Sequence, residues 1–380
     1  MHTSSHSPPT VATINLRALT QNLDQVRRRI PAACQVLAVV KANAYGHGAV
    51  EVTRALQRCG VSRFGVATVE EGAILRKAGV QDQILVMGAV TEREFPDLLA
   101  EHLIPVLYRA DMITRLAACV DKHQAPYPVH VKIETGMGRL GIRPQELPEL
   151  VTLPAFRSAL KLDGIMSHLA DADNRDVSYT RAQLEVFDRA RRLLEQEHLL
   201  PPLLHLANSA ALLTQPGAHY SLVRPGIMLY GYHTLSEPPS DLALQPVLTW
   251  TTTVAHVRTV QPGESVSYNR TFVAERPSRI AVLPVGYADG YSRQLSNRGA
   301  VLIGGRRAPV VGRVCMDMTM VDVTDIPAIE VGSEAVLIGR QGQEVITAAD
   351  LAAWQQTIPY EVLCAIGPRV PRRYDPPTPA

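Results

Sequence analysis

Residues 36–60 read VLAVVKANAYGHGAVEVTRALQRCG. The segment opens as an apolar, strand-like run, VLAVVKA, and passes through a glycine-containing turn. AVEVTRALQRCG then repeats apolar residues at helical spacing and stops at Gly60. A short apolar run followed by a period near 3.6 marks one βα unit. The unit recurs. FGVA precedes TVEEGAILRKAG, ILVMG precedes TEREFPDLLAEHL, IPVLY precedes DMITRLAACVDKHQ, and VHVKIE precedes PQELPELVTL. LDGIMSHL precedes the longest amphipathic segment, YTRAQLEVFDRARRLLEQEH; LLHLANS leads to SAALLTQ, and LVRPGIMLYG closes the series. Strand runs alternating with helical runs imply parallel strands joined by crossovers, and eight such units predict a (β/α)8 TIM barrel.

The pattern changes near residue 245. TWTTTVAHVRTV, SRIAVLPVGYA, GAVLIGG, APVVGRVCMDMTMVDV and EAVLIG are β-branched and punctuated by Gly and Pro, and only TAADLAAWQQ is helical in spacing. The expected α/β architecture is therefore a barrel over residues 13–245 followed by a mostly β C-terminal domain over 246–380. Residues 10–14 are strand-like and are expected to join the second domain.

The 380 residues carry 46% apolar and 19% charged side chains and a formal net charge of +2. There is no basic tract with interleaved aromatics, so no nucleic-acid partner is expected. The apolar runs are too short to span a bilayer. MHTSSHSPPT has no apolar core and is not read as a signal peptide. The five cysteines are scattered, with no Cys-x-x-Cys pair and no zinc spacing. A cytoplasmic protein without a metal is the expectation.

Lys41 sits at the end of the first strand, where a buried ammonium is costly. Active sites of TIM barrels lie at the C-terminal strand ends. Arg139 lies in the Gly-rich ETGMGRLG after strand five, His168 ends strand six, Asn208 and Ser209 end strand seven, and Gly226 and Ile227 follow Arg224 in strand eight. Taken singly, each has a plainer reading: ion-pair partner, solvated loop charge, core histidine, barrel packing. Their convergence on one face favours a site. A desolvated lysine becomes a nucleophilic amine suited to a Schiff base. Strands seven and eight are a common phosphate site, and the carbonyl compound that combines both features is pyridoxal phosphate.

These motifs resemble the alanine racemase family, pyridoxal-phosphate enzymes of fold type III. The likeness runs from AVVKANAYGHG through KIETGMGRLG, GIMSHLA, HLANSAA, VRPGIMLYG, SVSYNRTF, VGYADGYSR, GRVCMDMTMVD and IPYEVLC. The resemblance implies that Lys41 is the Schiff-base lysine and one of two catalytic bases. Tyr268 is then the opposing base, serving the cofactor of the second chain in a homodimer. Tyr45, Ser209, Gly226, Ile227 and Tyr360 match phosphate-binding positions, and Arg224 the arginine facing the pyridine nitrogen. Arg139 matches an arginine near the phenolic oxygen and substrate carboxylate, Lys132 a lysine that is often carbamylated, and Met316 a residue lining the substrate pocket of the second chain. His168 and Asn208 correspond to supports of the cofactor site, Tyr287 and Asp317 to the access channel. The implied reaction is interconversion of L- and D-alanine, supplying D-alanine for peptidoglycan. Two departures stand out: Asn269 replaces the glycine of many relatives, and SHLA replaces THFA. Asn tolerates positive φ better than most residues.

The chemistry agrees. Racemisation removes a proton from one face of Cα and returns one to the other, which calls for two bases. A fold type III decarboxylase of ornithine, lysine or diaminopimelate shares barrel and cofactor, and Cys315 keeps that reading open. Arg224 and SVSYNRTF oppose it, because such decarboxylases place an acid at the pyridine nitrogen. A broader-specificity racemase is the nearer alternative. A cofactor-carrier protein on a similar barrel would lack residues 246–380.

Overall fold

The computed structural model describes residues 9–376, so the expectation that the N-terminal stretch is no signal peptide concerns residues that lie outside that range but for the last two. The chain divides into two compact units. One contains Thr20–Ala44 and Ala49–Leu244; the other takes the chain up to Leu19, Tyr45–Gly48 and the chain from Gln245 onward.

In the first unit, β1 (Ala38–Val39), β2 (Arg63–Val66), β3 (Gln83–Val86), β4 (Ile104–Leu107), β5 (Tyr127–Lys132), β6 (Leu160–Met166) and β7 (Leu203–His205) pair in chain order as one parallel sheet. Phe64 of β2 lies opposite Ala38 of β1 and Ile84 of β3. The expected eighth strand is only Leu222–Val223 (β8), paired in parallel with Gln35–Val36. Pro225 ends it, because proline has no N–H to give to a ladder. Leu37 N–H still bonds Val223 O at 2.9 Å, and Arg224 N–H bonds Ala207 O at 2.9 Å. The run that opens the fold thus gives its first residues to β8 and its next to β2, curling the sheet into a TIM-like ring.

Both faces of a parallel sheet are covered, which is why the strands read as apolar runs rather than alternating ones. The crossover helices bury one stripe each. Ala49–Arg58 buries Val52, Ala55 and Leu56, and Ser178–Gln196 buries Thr180, Gln183, Phe187, Ala190 and Leu194, at helical spacings. PQELPELVTL does not form one helix. It splits into two short pieces, Pro144–Glu146 and Leu147–Thr152, and a third, Pro154–Ala159, follows it, each with a proline in its first turn. Proline starts helices and interrupts them.

The second unit is mostly strands. Val11–Asn15 lies between Leu248–Thr253, antiparallel, and Arg372–Asp375, parallel. That sheet continues through Glu334–Gln341, Ala300–Ile303 and Arg306–Pro309. His256–Val260, Ser278–Leu283 and Thr319–Asp322 form a three-stranded antiparallel sheet. Ala348–Gln355 is the expected helix, closed by a reciprocal cap between Thr347 and Asp350. A second helix, Pro359–Ala365, was not assigned from the sequence; its proline occupies the first turn, where a missing N–H costs nothing. Among the described residues no helix is long and apolar enough to cross a membrane.

Candidate active site

Lys41 follows β1 after Val40, whose N–H bonds Gly65 O at 2.9 Å. The next four residues turn left-handed: Ala42, Asn43, Ala44 and Tyr45 have φ of 52°, 54°, 54° and 51°. Each such residue costs about 1–2 kcal/mol, so the run survives only because its surroundings hold it. Glu71 does much of this. One carboxylate oxygen accepts the Ala42 N–H at 2.6 Å and the other the Ala67 N–H at 2.7 Å. Ala44 N–H returns to Val40 O at 2.8 Å, and Ala49 N–H caps onto Asn43 Oδ1 at 2.9 Å. The turn leaves the barrel at Gly46, φ 80°; a Cβ there would stand 2.2 Å from Leu363 O.

Arg224, after β8, is 3% exposed. Its Nη1 donates to His205 O at 2.7 Å, and its Nη2 to Ser167 O at 2.7 Å and Leu206 O at 3.0 Å. Nη1 also meets His205 Nδ1 at 3.2 Å, and Nη2 approaches His168 Nδ1 at 3.4 Å. No carboxylate pairs with it among the described residues, and burial alone draws its pKa down to about 9. Its Nε–H has no acceptor among those residues. His168 is held well below the ordinary histidine range by burial and by the charges of Arg224 and Arg139, so it is neutral.

Lys132 ends β5 and is buried. Burial, then Arg139 and Arg224, bring it down to about 8 against the pull of Glu134. Arg139 itself is exposed, in a loop whose Gly136 and Gly138 N–H groups bond the Glu134 carboxylate. Asn208 caps the helix Ser209–Thr214, accepting Ala211 N–H at 2.9 Å. Ser209 Oγ accepts the N–H of Gly226 at 2.9 Å and of Met228 at 3.3 Å. That leaves the Ser209 O–H to donate. Ile227 N–H, between those two amides in a residue 1% exposed, has no acceptor among the described residues. Buried orphan donors are rare unless something else fills them.

In the second unit Tyr268 stands in the loop of a hairpin formed by Ser265–Val266 and Phe272–Val273. Asn269 takes φ 62°, and Ser267 before the tyrosine takes 68°. Ser267 Oγ donates to Arg313 O at 2.6 Å and lies 3.5 Å from Cys315 Sγ, which brings the tyrosine loop beside the Met316 loop. Tyr287 N–H bonds Cys315 O at 3.0 Å, and Asp317 accepts from Arg369 Nη2 at 2.9 Å. Tyr268, Met316 and Tyr287 are 67%, 52% and 43% exposed. Tyr45 is buried 5.7 Å, ring to ring, from Tyr360, and burial and Tyr360 raise its pKa.

Two family descriptions tile the chain: alanine racemase, N-terminal domain, over residues 14–234, and alanine racemase, C-terminal domain, over residues 247–374. The alanine racemase of Halothermothrix orenii is 44% identical over 96% of this chain and 97% of its own. That of Geobacter sulfurreducens is 42% identical over 97% of each. Among solved structures, alanine racemase from E. faecalis superposes with a TM-score of 0.91 at 35% identity, over 97% of this chain and 98% of that one. The chain belongs to the alanine racemase family.

In this racemase the residues singled out by sequence fall into two groups. In the barrel unit Lys132, His168 and Arg224 come together, and Ser209, Gly226 and Ile227 form one hydrogen-bonded group. Asn208 is engaged as a helix cap. In the other unit Tyr268, Met316, Tyr287 and Asp317 are linked by the contacts above, and the rings of Tyr45 and Tyr360 meet at a tilt of 56°. Reasoning from sequence passed over Glu71, Ser167, His205 and His130. His130 and His205 were visible as polar letters inside VHVKIE and LLHLANS, where a run buried on both faces has no plain use for imidazole.

Proposed function

We propose that this chain carries out its family's reaction, the interconversion of L-alanine and D-alanine, with pyridoxal 5'-phosphate as cofactor. One observation weighs most. Arg224, a buried side-chain cation with no carboxylate partner among the described residues, keeps a single donor, Nε–H, uncommitted among them. A guanidinium has donors and no acceptor, so it suits an unprotonated ring nitrogen. A decarboxylase of this fold type would want an acid there.

The chain's residues divide the work as follows. Lys41 holds the cofactor's aldehyde carbon. Bound, the cofactor withdraws electrons and acidifies the alanine Cα–H. Ser209 O–H and the amides near Gly226 and Ile227 are suited to its phosphate; Tyr45 and Tyr360 are assigned there by family resemblance. Arg139 takes the alanine carboxylate, supported by Lys132, whose low proton affinity suits a carbamate. His168 and Asn208 hold the surrounding structure. Lys41 and Tyr268 of the partner subunit each move a proton on one side of Cα. Met316 limits side-chain volume, and Tyr287 and Asp317 serve substrate access. The working form is a homodimer, located in the cytoplasm, whose product supplies peptidoglycan; no nucleic acid or membrane takes part.

The test combines turnover with mapping. L-alanine, but not L-ornithine, should be consumed to its D form in the presence of pyridoxal phosphate. Borohydride reduction and peptide mapping should place the pyridoxyl group on Lys41. A label on Lys132 or Lys161, or decarboxylation of ornithine, overturns the assignment.

A further inference from the structure

Arg224 rests on a column of imidazoles. His205 Nε2 lies 2.7 Å from His130 Nδ1, in rings that are 0% and 2% exposed. The rings meet edge to face with centroids 4.9 Å apart. His130 Nε2 in turn faces Asp163 Oδ2 at 3.9 Å. The groups come from β5, β6, β7 and the residue after β8, so the column crosses successive strands of the barrel.

Its proton order follows from one fact. A guanidinium only donates, so His205 Nδ1, 3.2 Å from Arg224 Nη1, must accept. A neutral His205 then carries its proton on Nε2 and donates it to His130 Nδ1. His130 carries its own proton on Nε2, toward the Asp163 carboxylate. The reverse order would set two N–H groups face to face at Arg224. Neither ring takes a second proton near neutrality: burial, then Arg63 and Arg224, bring His130 down to about 3, and burial, then His130 and Arg224, hold His205 well below its ordinary value.

The neighbouring strand is cut to fit. Gly164 lies opposite His130 in the β5–β6 register. A Cβ at Gly164 would stand 2.6 Å from both Cε1 and Nδ1 of His130. Asp163, next to that glycine, also pairs with Lys161 at 3.6 Å and faces Arg63. It is the carboxylate at the far end of the side-chain chain that leads from Arg224 through His205 and His130.

We propose that His130, anchored by Asp163 and accommodated by Gly164, is a positioning residue for Arg224: it fixes the His205 tautomer that accepts from the guanidinium and so holds Nε–H in its presented orientation. The proposal rests on the reading of Arg224 given above. Outer partners that orient metal ligands contribute about 10–100-fold in activity or affinity, and an effect at the lower end of that range is expected for an arginine oriented in the same way.

The test uses full-length protein with 15N-labelled histidine, with and without pyridoxal phosphate. In the cofactor-free protein both rings should be neutral with the proton on Nε2. His130→Phe removes the acceptor, and His205 should then shift toward the Nδ1–H form. Its kcat should fall roughly tenfold while KM for alanine changes little and Lys41 is still labelled after borohydride reduction. His130→Asn, whose amide oxygen can accept in place of Nδ1, should restore the tautomer and most of kcat. Gly164→Ala should repeat the phenylalanine result by displacing the ring, and carries the test if His130→Phe does not fold. An Nδ1–H His205 in the unsubstituted protein overturns the proposal. So does a His205 signal and kcat unmoved in both His130→Phe and Gly164→Ala. Absence of label on Lys41 in the unsubstituted protein would instead overturn the cofactor assignment, leaving the tautomer result to stand or fall by itself.

Discussion

Lys132 lies in the barrel with its side chain out of water, and burial with Arg139 and Arg224 lowers it from 10.5 to about 8. The sign of its effect on stability follows. Below about 8 it is charged in the folded and unfolded chains alike, and the folded state bears the full penalty. Between 8 and 10.5 the folded amine is already neutral while the unfolded one still holds its proton, so stability rises with pH across that window. Above it the gain levels off. In carbon-dioxide-free buffer, the urea midpoint of the unsubstituted protein should climb relative to Lys132→Met between pH about 8 and 10.5; parallel midpoints would remove the argument. The same neutral amine can add carbon dioxide, releasing a proton and forming an anion. At this scale the sequence exposed charges at strand ends, because a cation in an apolar run is anomalous on its face. It showed His130 and His205 as letters and hid their role, because that role lies in each other, 75 residues apart.

The left-handed turn after Lys41 is an element that letters such as Ala and Asn do not announce; only Gly46 and Gly48 hint at it. Its stability is borrowed from Glu71 in the neighbouring helix Val69–Lys77. Glu71→Ala leaves two amides without their acceptor, which costs about 1–3 kcal/mol for each amide kept from water. Glu71→Gln keeps one accepting oxygen, so it should fall between the parent and alanine. The readouts are the urea midpoint and the pyridoxal phosphate affinity, both expected in the order parent, glutamine, alanine. Equal values in all three would mean that Asn43 and Val40 hold the turn alone. Elsewhere the period of apolar residues told strands from helices well. It failed where proline intervened, in the shortened β8 and in the pieces from Pro144 to Ala159, because proline acts on hydrogen bonding and leaves hydrophobicity intact.

For the molecule as a whole, the exposed Tyr268, Met316 and Tyr287 are large apolar groups of the kind that mark association surfaces. If Lys41 of one chain works with Tyr268 of the partner subunit, Lys41→Ala and Tyr268→Ala should each be nearly inactive as homodimers. Exchanged in equal amounts, half the dimers are mixed and one site in each is whole, so roughly a quarter of the parent activity should return. No return, beside parent protein that survives the same exchange, would place both bases in one chain. The two-unit plan was readable from the change in pattern near residue 245, but the membership of Tyr45–Gly48 in the second unit was not, since four residues carry no pattern. The placement of Val11–Asn15 has another side. Its two neighbours in the sheet are Leu248–Thr253 and Arg372–Asp375. A ribosome adding about 5–20 residues per second takes roughly 10–50 s to travel from Asn15 to Leu248, and longer to reach Arg372. For that whole interval the strand made near the beginning has both edges open. Val11–Asn15 therefore completes its pairing only once the whole barrel unit and then Arg372–Asp375 have been made: whatever the barrel has done by then, this strand waits on chain synthesised long after it.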